Sequence, residues 1–179
     1  MSTHETREDI WRRHNALARE GFADHTLTEE GPGRWRCARP GIGRFAFRVV
    51  FSPRCVIVIG DLSDAILRVS DSDSLGWLLG SWQSRDYVVS KIAVSEGERA
   101  REQFVEAEAV AEATEAGHAE EYAAEMSHSS VSVAEWREWA RGKGIDEPGA
   151  VMPGASLRWV WSALSCFVRL YDEKSKGAK

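Results

Sequence analysis

From Arg44 to Phe51 the chain alternates: Phe45, Phe47, Val49 and Phe51 take one side of the count, and Arg44, Ala46, Arg48 and Val50 the other. A period of two belongs to a half-buried strand, here with an aromatic face for a core and a partly basic face turned away from it. Turn chemistry brackets this strand. Gly31-Pro32-Gly33, Pro40-Gly41-Ile42-Gly43, Ser52-Pro53 and Gly60-Asp61 divide the surrounding chain into short extended pieces, His25–Glu29, Arg34–Arg39, Cys55–Ile59 and Ala65–Ser70. Connections this short cannot hold a parallel crossover, so the expectation is an antiparallel meander of about four strands. Cys55–Ile59 is continuously apolar and reads as a central strand covered on both faces.

Helical spacing surrounds this region. Ile10, Trp11, His14, Leu17 and Ala18 predict a first helix that Thr3 caps and Gly21 ends. Ser72-Asp73-Ser74 caps a helix carrying Leu75, Leu78, Leu79 and Trp82, and Asp86–Ile92 follows as a second short one. Glu98–Ala116 is rich in Ala and Glu, with a narrow apolar stripe of Phe104, Val105 and Val110, so a largely solvated helix is expected there. His118–Met126 resumes it after Gly117. Ser132 and Glu135 form a capping box before Val133, Trp136 and Trp139. Gly142–Gly154 reads as a loop. Ala155–Tyr171 carries the broadest apolar face, from Leu157 through Leu164 to Tyr171, and needs a partner surface; the aromatic face of the sheet supplies one. The strand phase puts Phe45, Phe47, Val49, Phe51, Ile57 and Ile59 beneath Trp161, Leu164 and Val168. The fold class that follows is α+β: a sheet-bearing core over residues 1–94 and a helical extension over 95–179 that packs on it and includes the acidic helix.

Charge is sorted along the chain. Arg34–Arg54 holds six arginines and no acid, whereas Glu96–Glu125 holds ten glutamates against Arg99 and Arg101. The net charge of −5 conceals this division, which points to partners rather than to chemistry. No nucleophile is paired with a base, no phosphate loop is present, and neither the five histidines nor the three cysteines have ligand spacing. No catalytic residue, cofactor or metal site is therefore assigned. Cys37, Cys55 and Cys166 are expected as reduced, unreactive thiols. The N-terminus lacks an apolar signal core, and Arg158 interrupts the longest apolar stretch, Leu157–Leu170, so a cytoplasmic protein with no membrane partner is expected.

Two charged surfaces are candidate binding sites. In the acidic helix, Glu106, Glu108, Glu112 and Glu115 are candidates for a partner protein with a basic groove, and Glu108, Glu112 and Glu115 share one face. In the strands, Arg34, Arg36, Arg44 and Arg48 would stand on one side of a hairpin and offer phosphates a cationic face.

The segment Gly33-Arg34-Trp35-Arg36-Cys37-Ala38-Arg39-Pro40-Gly41, followed by Phe45-Ala46-Phe47-Arg48-Val49, Gly60-Asp61-Leu62 and Ser84-Arg85-Asp86-Tyr87-Val88, resembles small proteins of unknown function encoded by bacteriophages and prophages. The resemblance covers residues 24–92. It implies a phage context, in which small accessory proteins bind and disable host machinery. The expected function is a non-enzymatic phage protein in the host cytoplasm that binds a host protein through its acidic surface and inhibits a nucleic-acid-targeting defence such as CRISPR-Cas. The alternative is a nucleic-acid-binding accessory protein that uses the arginine face.

Overall fold

The computed structural model describes residues 5–81, 84–95, 102–126, 131–145 and 149–177, with the side chains of residues 94 and 95 left out. Thr3, the expected first cap, and Trp82 lie outside the described residues. The chain divides into two compact units, one made of residues 15–101 and 155–179, the other of residues 1–14 and 102–154. This division differs from a cut at residue 94, because the last helix belongs with the sheet and the first helix, α1 (Arg7–Phe22), contributes to both units.

The larger unit is built on a six-stranded antiparallel meander: β1 (Thr26–Gly31), β2 (Arg34–Arg39), β3 (Ile42–Ser52), β4 (Cys55–Gly60), β5 (Ala65–Arg68) and β6 (Ile92–Ser95), paired in chain order. The α+β class and the meander are as the sequence reads, with more strands than expected. Five of the six lie where extended segments were read, and the sixth is β6, which begins where the second short helix was expected to end. Between β5 and β6 lie α2 (Ser74–Ser81) and α3 (Arg85–Ser90). Asp73 caps α2, its carboxylate accepting from the Gly76 amide at 2.9 Å. The β1–β2 turn needs Gly33, whose φ of 67° suits a residue without Cβ and whose Cβ would stand 3.0 Å from the Phe51 carbonyl oxygen. Gly60 is needed for space: a Cβ there would meet the Ala46 carbonyl oxygen at 2.5 Å.

One face of this sheet carries the core. Trp35, Cys37, Phe47, Val49, Val56, Val58, Ala65 and Leu67 are buried on it, together with Ala18 and Phe22 of α1, Leu78 of α2, Val88 of α3 and a row from α7 (Ala155–Gly177) that includes Val160, Leu164 and Phe167. Phe22 meets Phe47 edge-on at 5.6 Å between ring centres, and Trp35 meets Phe167 at 6.3 Å. The expected phase of β3 holds for Phe47 and Val49. The expected phase of β4 does not. The tight turn pairs Ser52 with Cys55, which sets Phe51 opposite Val56 and Val49 opposite Val58. Cross-strand partners share a face, so Val56 and Val58 are inside, while Ile57 and Ile59 turn outward and Ile59 is 46% exposed. Among the described residues β4 thus buries one face fully and leaves the other half-buried at Ile57 and exposed at Ile59.

The smaller unit pairs β7 (Glu102–Phe104) with β8 (Val151–Pro153) and adds α4 (Glu106–Glu115), α5 (Ala119–Glu125) and α6 (Val133–Gly142). Both strands fall where a helix and a loop were expected: the acidic helix begins only at Glu106, and the Gly-rich segment is extended at Val151–Pro153. The core of this unit is aromatic on one side and alanine on the other. Trp136 and Trp139 stack at 5.5 Å, Tyr122 meets Trp136 edge-on at 6.0 Å, and Ala109, Ala113 and Ala140 are fully buried in the same cluster. Of the expected stripe of Phe104, Val105 and Val110, Val105 is buried and Phe104 packs against this cluster, whereas Val110 is 39% exposed and alanines at i and i+4 on α4 take its place. The capping box forms as read: the Ser132 hydroxyl accepts from the Glu135 amide at 3.2 Å, and the Glu135 carboxylate accepts from the Ser132 amide at 2.7 Å.

Candidate functional site

Antiparallel pairing decides which arginines meet. Arg36 lies directly opposite Arg48, and Arg34 opposite Val50, so these three arginines stand on the face opposite Trp35, Phe47 and Val49. Glu30 reaches across to Arg48, accepting from its Nε at 2.8 Å and from Nη2 at 3.3 Å. That charge-assisted pair holds the Glu30 carboxyl below its ordinary range and raises Arg48, and Arg36 adds to the effect on Glu30. Arg44 does not join the row. The register between β2 and β3 breaks after Cys37, and Phe45 sits at φ 61°, an uncommon conformation for an aromatic residue. Arg44 therefore leaves the alternation. Its guanidinium lies 4.9 Å from the centre of the Phe45 ring, and it lines a hollow with Leu17, Phe45 and Trp159 on the helical side.

The same pairing builds an apolar stripe that sequence reading missed. Val50 faces Ile57, Ile57 faces Ile66, and Arg48 faces Ile59. Val50, Ile57 and Ile66 are half-buried and Ile59 is exposed. Arg68 lies opposite Cys55 at one end of the stripe, and Arg34, Arg36 and Arg48 border it along its side. The signal lay in Cys55–Ile59, a run in which every second residue must face away from a single-sided core.

The acidic candidates are placed differently. Glu108 forms a 2.7 Å ion pair with Arg7 and accepts from the Arg7 amide at 3.3 Å. Glu112 accepts from the Gly149 amide at 3.0 Å. Burial raises the Glu112 carboxyl above its ordinary range, the Gly149 bond partly offsetting it. Arg7 also donates to the carbonyls of Gly149 and Val151, the latter at 3.1 Å. The shared face of Glu108 and Glu112 is thus turned onto the unit's own chain. Glu106 is half-buried and Glu115 is exposed. Farther along, Lys143 pairs with Glu121 and Glu125, and Arg137 pairs with Glu102 through two bonds of 2.8 Å.

Among the described residues no group of three or more His, Cys, Asp or Glu is placed to hold a metal ion, and no helix is long and apolar enough to cross a membrane. No family model matches the chain, and no curated protein or solved structure matches it either.

Proposed function

We propose that this chain is a non-enzymatic protein that binds another protein through the outer face of its six-stranded sheet, opposite the core. One observation carries the reading: the stripe of Val50, Ile57, Ile59 and Ile66 is bordered by Arg34, Arg36, Arg48 and Arg68. An apolar centre with an arginine-bearing margin has the anatomy of a protein interface, and arginine is enriched where such interfaces are strongest. The arginines favour a partner whose matching rim is acidic. The acidic helix is less suited to the same task, because Glu108 and Glu112 are engaged within their own unit.

Nucleic acid fits this face less well. Binding of unpaired bases relies on aromatic platforms, and the aromatic residues Trp35, Phe47 and Phe51 belong to the covered side. The likeness of the Trp35–Gly41 segment to phage-encoded proteins supports a host protein as the partner, and inhibition of a nucleic-acid-targeting defence complex as the consequence.

The test places a photo-crosslinking residue at position 59 or, as a control, at position 115, in full-length protein added to phage-host lysate. A discrete adduct from position 59 that disappears with Ile57→Glu is expected. An adduct from position 115 alone would return the function to the acidic helix. Salt-dependent DNA or RNA binding that is lost in Arg34→Ala with Arg36→Ala would establish the nucleic-acid reading instead.

A further inference from the structure

On the other side of the sheet, α1 and α7 leave a cleft between them. Its wall on α1 comes from Asn15, Ala18, Arg19 and Phe22, one face of a helix at i, i+3, i+4 and i+7. Its wall on α7 comes from Ser162, Ser165, Cys166 and Arg169 at the same spacing, with Trp161 beside them. The cleft exists because Ala18, Ser162 and Ser165 are too small to fill the gap between helices whose neighbouring turns bury Phe22, Leu164 and Phe167. Its volume of 460 Å³ lies in the range of small-molecule sites, roughly 300–1,000 Å³.

The lining is chemically divided. Ala18, Phe22, Ala23 and Trp161 are apolar, whereas Arg19 and Arg169 bring positive charge, and among the described residues no acid lines the space. The Arg169 guanidinium is held in place: Nη1 donates to Glu173 at 3.1 Å, while Nη2 lies 3.5 Å from the Phe22 carbonyl oxygen and 3.8 Å from Cys166 Sγ. A planar guanidinium fixed at the margin of an apolar hollow is pre-organised for a carboxylate. We infer that this cleft binds an amphiphilic monocarboxylate, with its hydrocarbon body against Phe22 and Trp161 and its head between Arg19 and Arg169. The inference is independent of the sheet-face function, since none of these residues belongs to that face.

Titration of the full-length protein with sodium decanoate below its micellar concentration, followed by calorimetry, tests it, with decanol as the uncharged probe. Saturable one-site binding of decanoate is expected, with decanol binding more weakly. Arg19→Gln combined with Arg169→Gln should weaken decanoate by about tenfold or more and leave decanol unchanged, since decanol carries no charge for either guanidinium to meet. Ser165→Leu, which fills the cleft from a helical position, should abolish binding of both. Arg19 is exposed, so Arg19→Gln by itself keeps the fold and should still weaken decanoate. Absence of saturable decanoate binding, equal affinity for decanol, or binding that survives Ser165→Leu would overturn the assignment.

Discussion

Arg7 and Glu108, separated by 101 positions in the chain, are joined by a 2.7 Å ion pair and by a hydrogen bond from the Arg7 amide to the same carboxylate. The pair fastens the start of α1 to the start of α4. It stands partly out of solvent, with the side chains 39% and 28% exposed. Arg7→Ala also removes donors from the Gly149 and Val151 carbonyls, so it should cost roughly 1–2 kcal/mol. Glu108→Lys should cost at least as much, because it sets two cations against each other. Urea denaturation of the purified variants measures both. A Glu108→Lys protein as stable as its parent would mean that this carboxylate is free for an outside partner.

The phase of β4 can be read from two substitutions. Phe47 is buried, with 4% of its surface exposed, and Phe47→Ala should destabilise by about 3–5 kcal/mol. Ile59→Ala, on the outer face, should stay within about 0.5 kcal/mol. Similar losses at both positions would show that the sheet is packed on both sides.

Thiol reactivity should distinguish the cysteines. Cys37 and Cys166 are buried; desolvation raises both thiols, Cys166 to about 11, which keeps them protonated and inert. Cys55 is half-buried and lies on the outer face opposite Arg68. The expectation of three unreactive thiols therefore narrows to Cys37 and Cys166. Titration with an aromatic disulfide should modify Cys55 alone in the native protein and all three thiols after denaturation. Rapid native modification of Cys37 would contradict the packing beneath α7.

His25 should link stability to pH. It is buried, its Nε2–H donates to the Phe45 carbonyl at 3.0 Å, and its ring packs against Phe22 and Phe47. Burial lowers its proton affinity below the ordinary 6.5, Arg169 and Arg39 lower it further, and the Phe45 bond and Asp24 oppose the shift. In the window below 6.5 the unfolded chain binds this proton more readily than the folded one, so stability falls as pH drops. Urea midpoints measured between pH 7.5 and 5 should decline, and His25→Asn should flatten the decline. Parallel curves for the two proteins would assign the effect to other groups.

The amino-acid order by itself determined the meander, the inward face of β3, the capping box at Ser132 and the apolar face of α7, because each is written in local periodicity or turn chemistry. It could not determine the phase of Cys55–Ile59, where an unbroken apolar run has no period to read; the Ser52–Cys55 hairpin register decided it. Local order also hid β6 and the β7–β8 pair, whose short segments become strands only when a distant partner supplies hydrogen bonds. The acidic helix shows the same limit: ten glutamates are visible in sequence, but tertiary structure alone set Glu108 against Arg7 and Glu112 against Gly149. The face suited to a partner likewise came from cross-strand register, which brought Arg34, Arg36, Arg48 and Arg68 from three strands around Ile57 and Ile59 of a fourth. Local preferences choose elements; only long-range pairing chooses which side chains are spent on the fold and which remain at its surface.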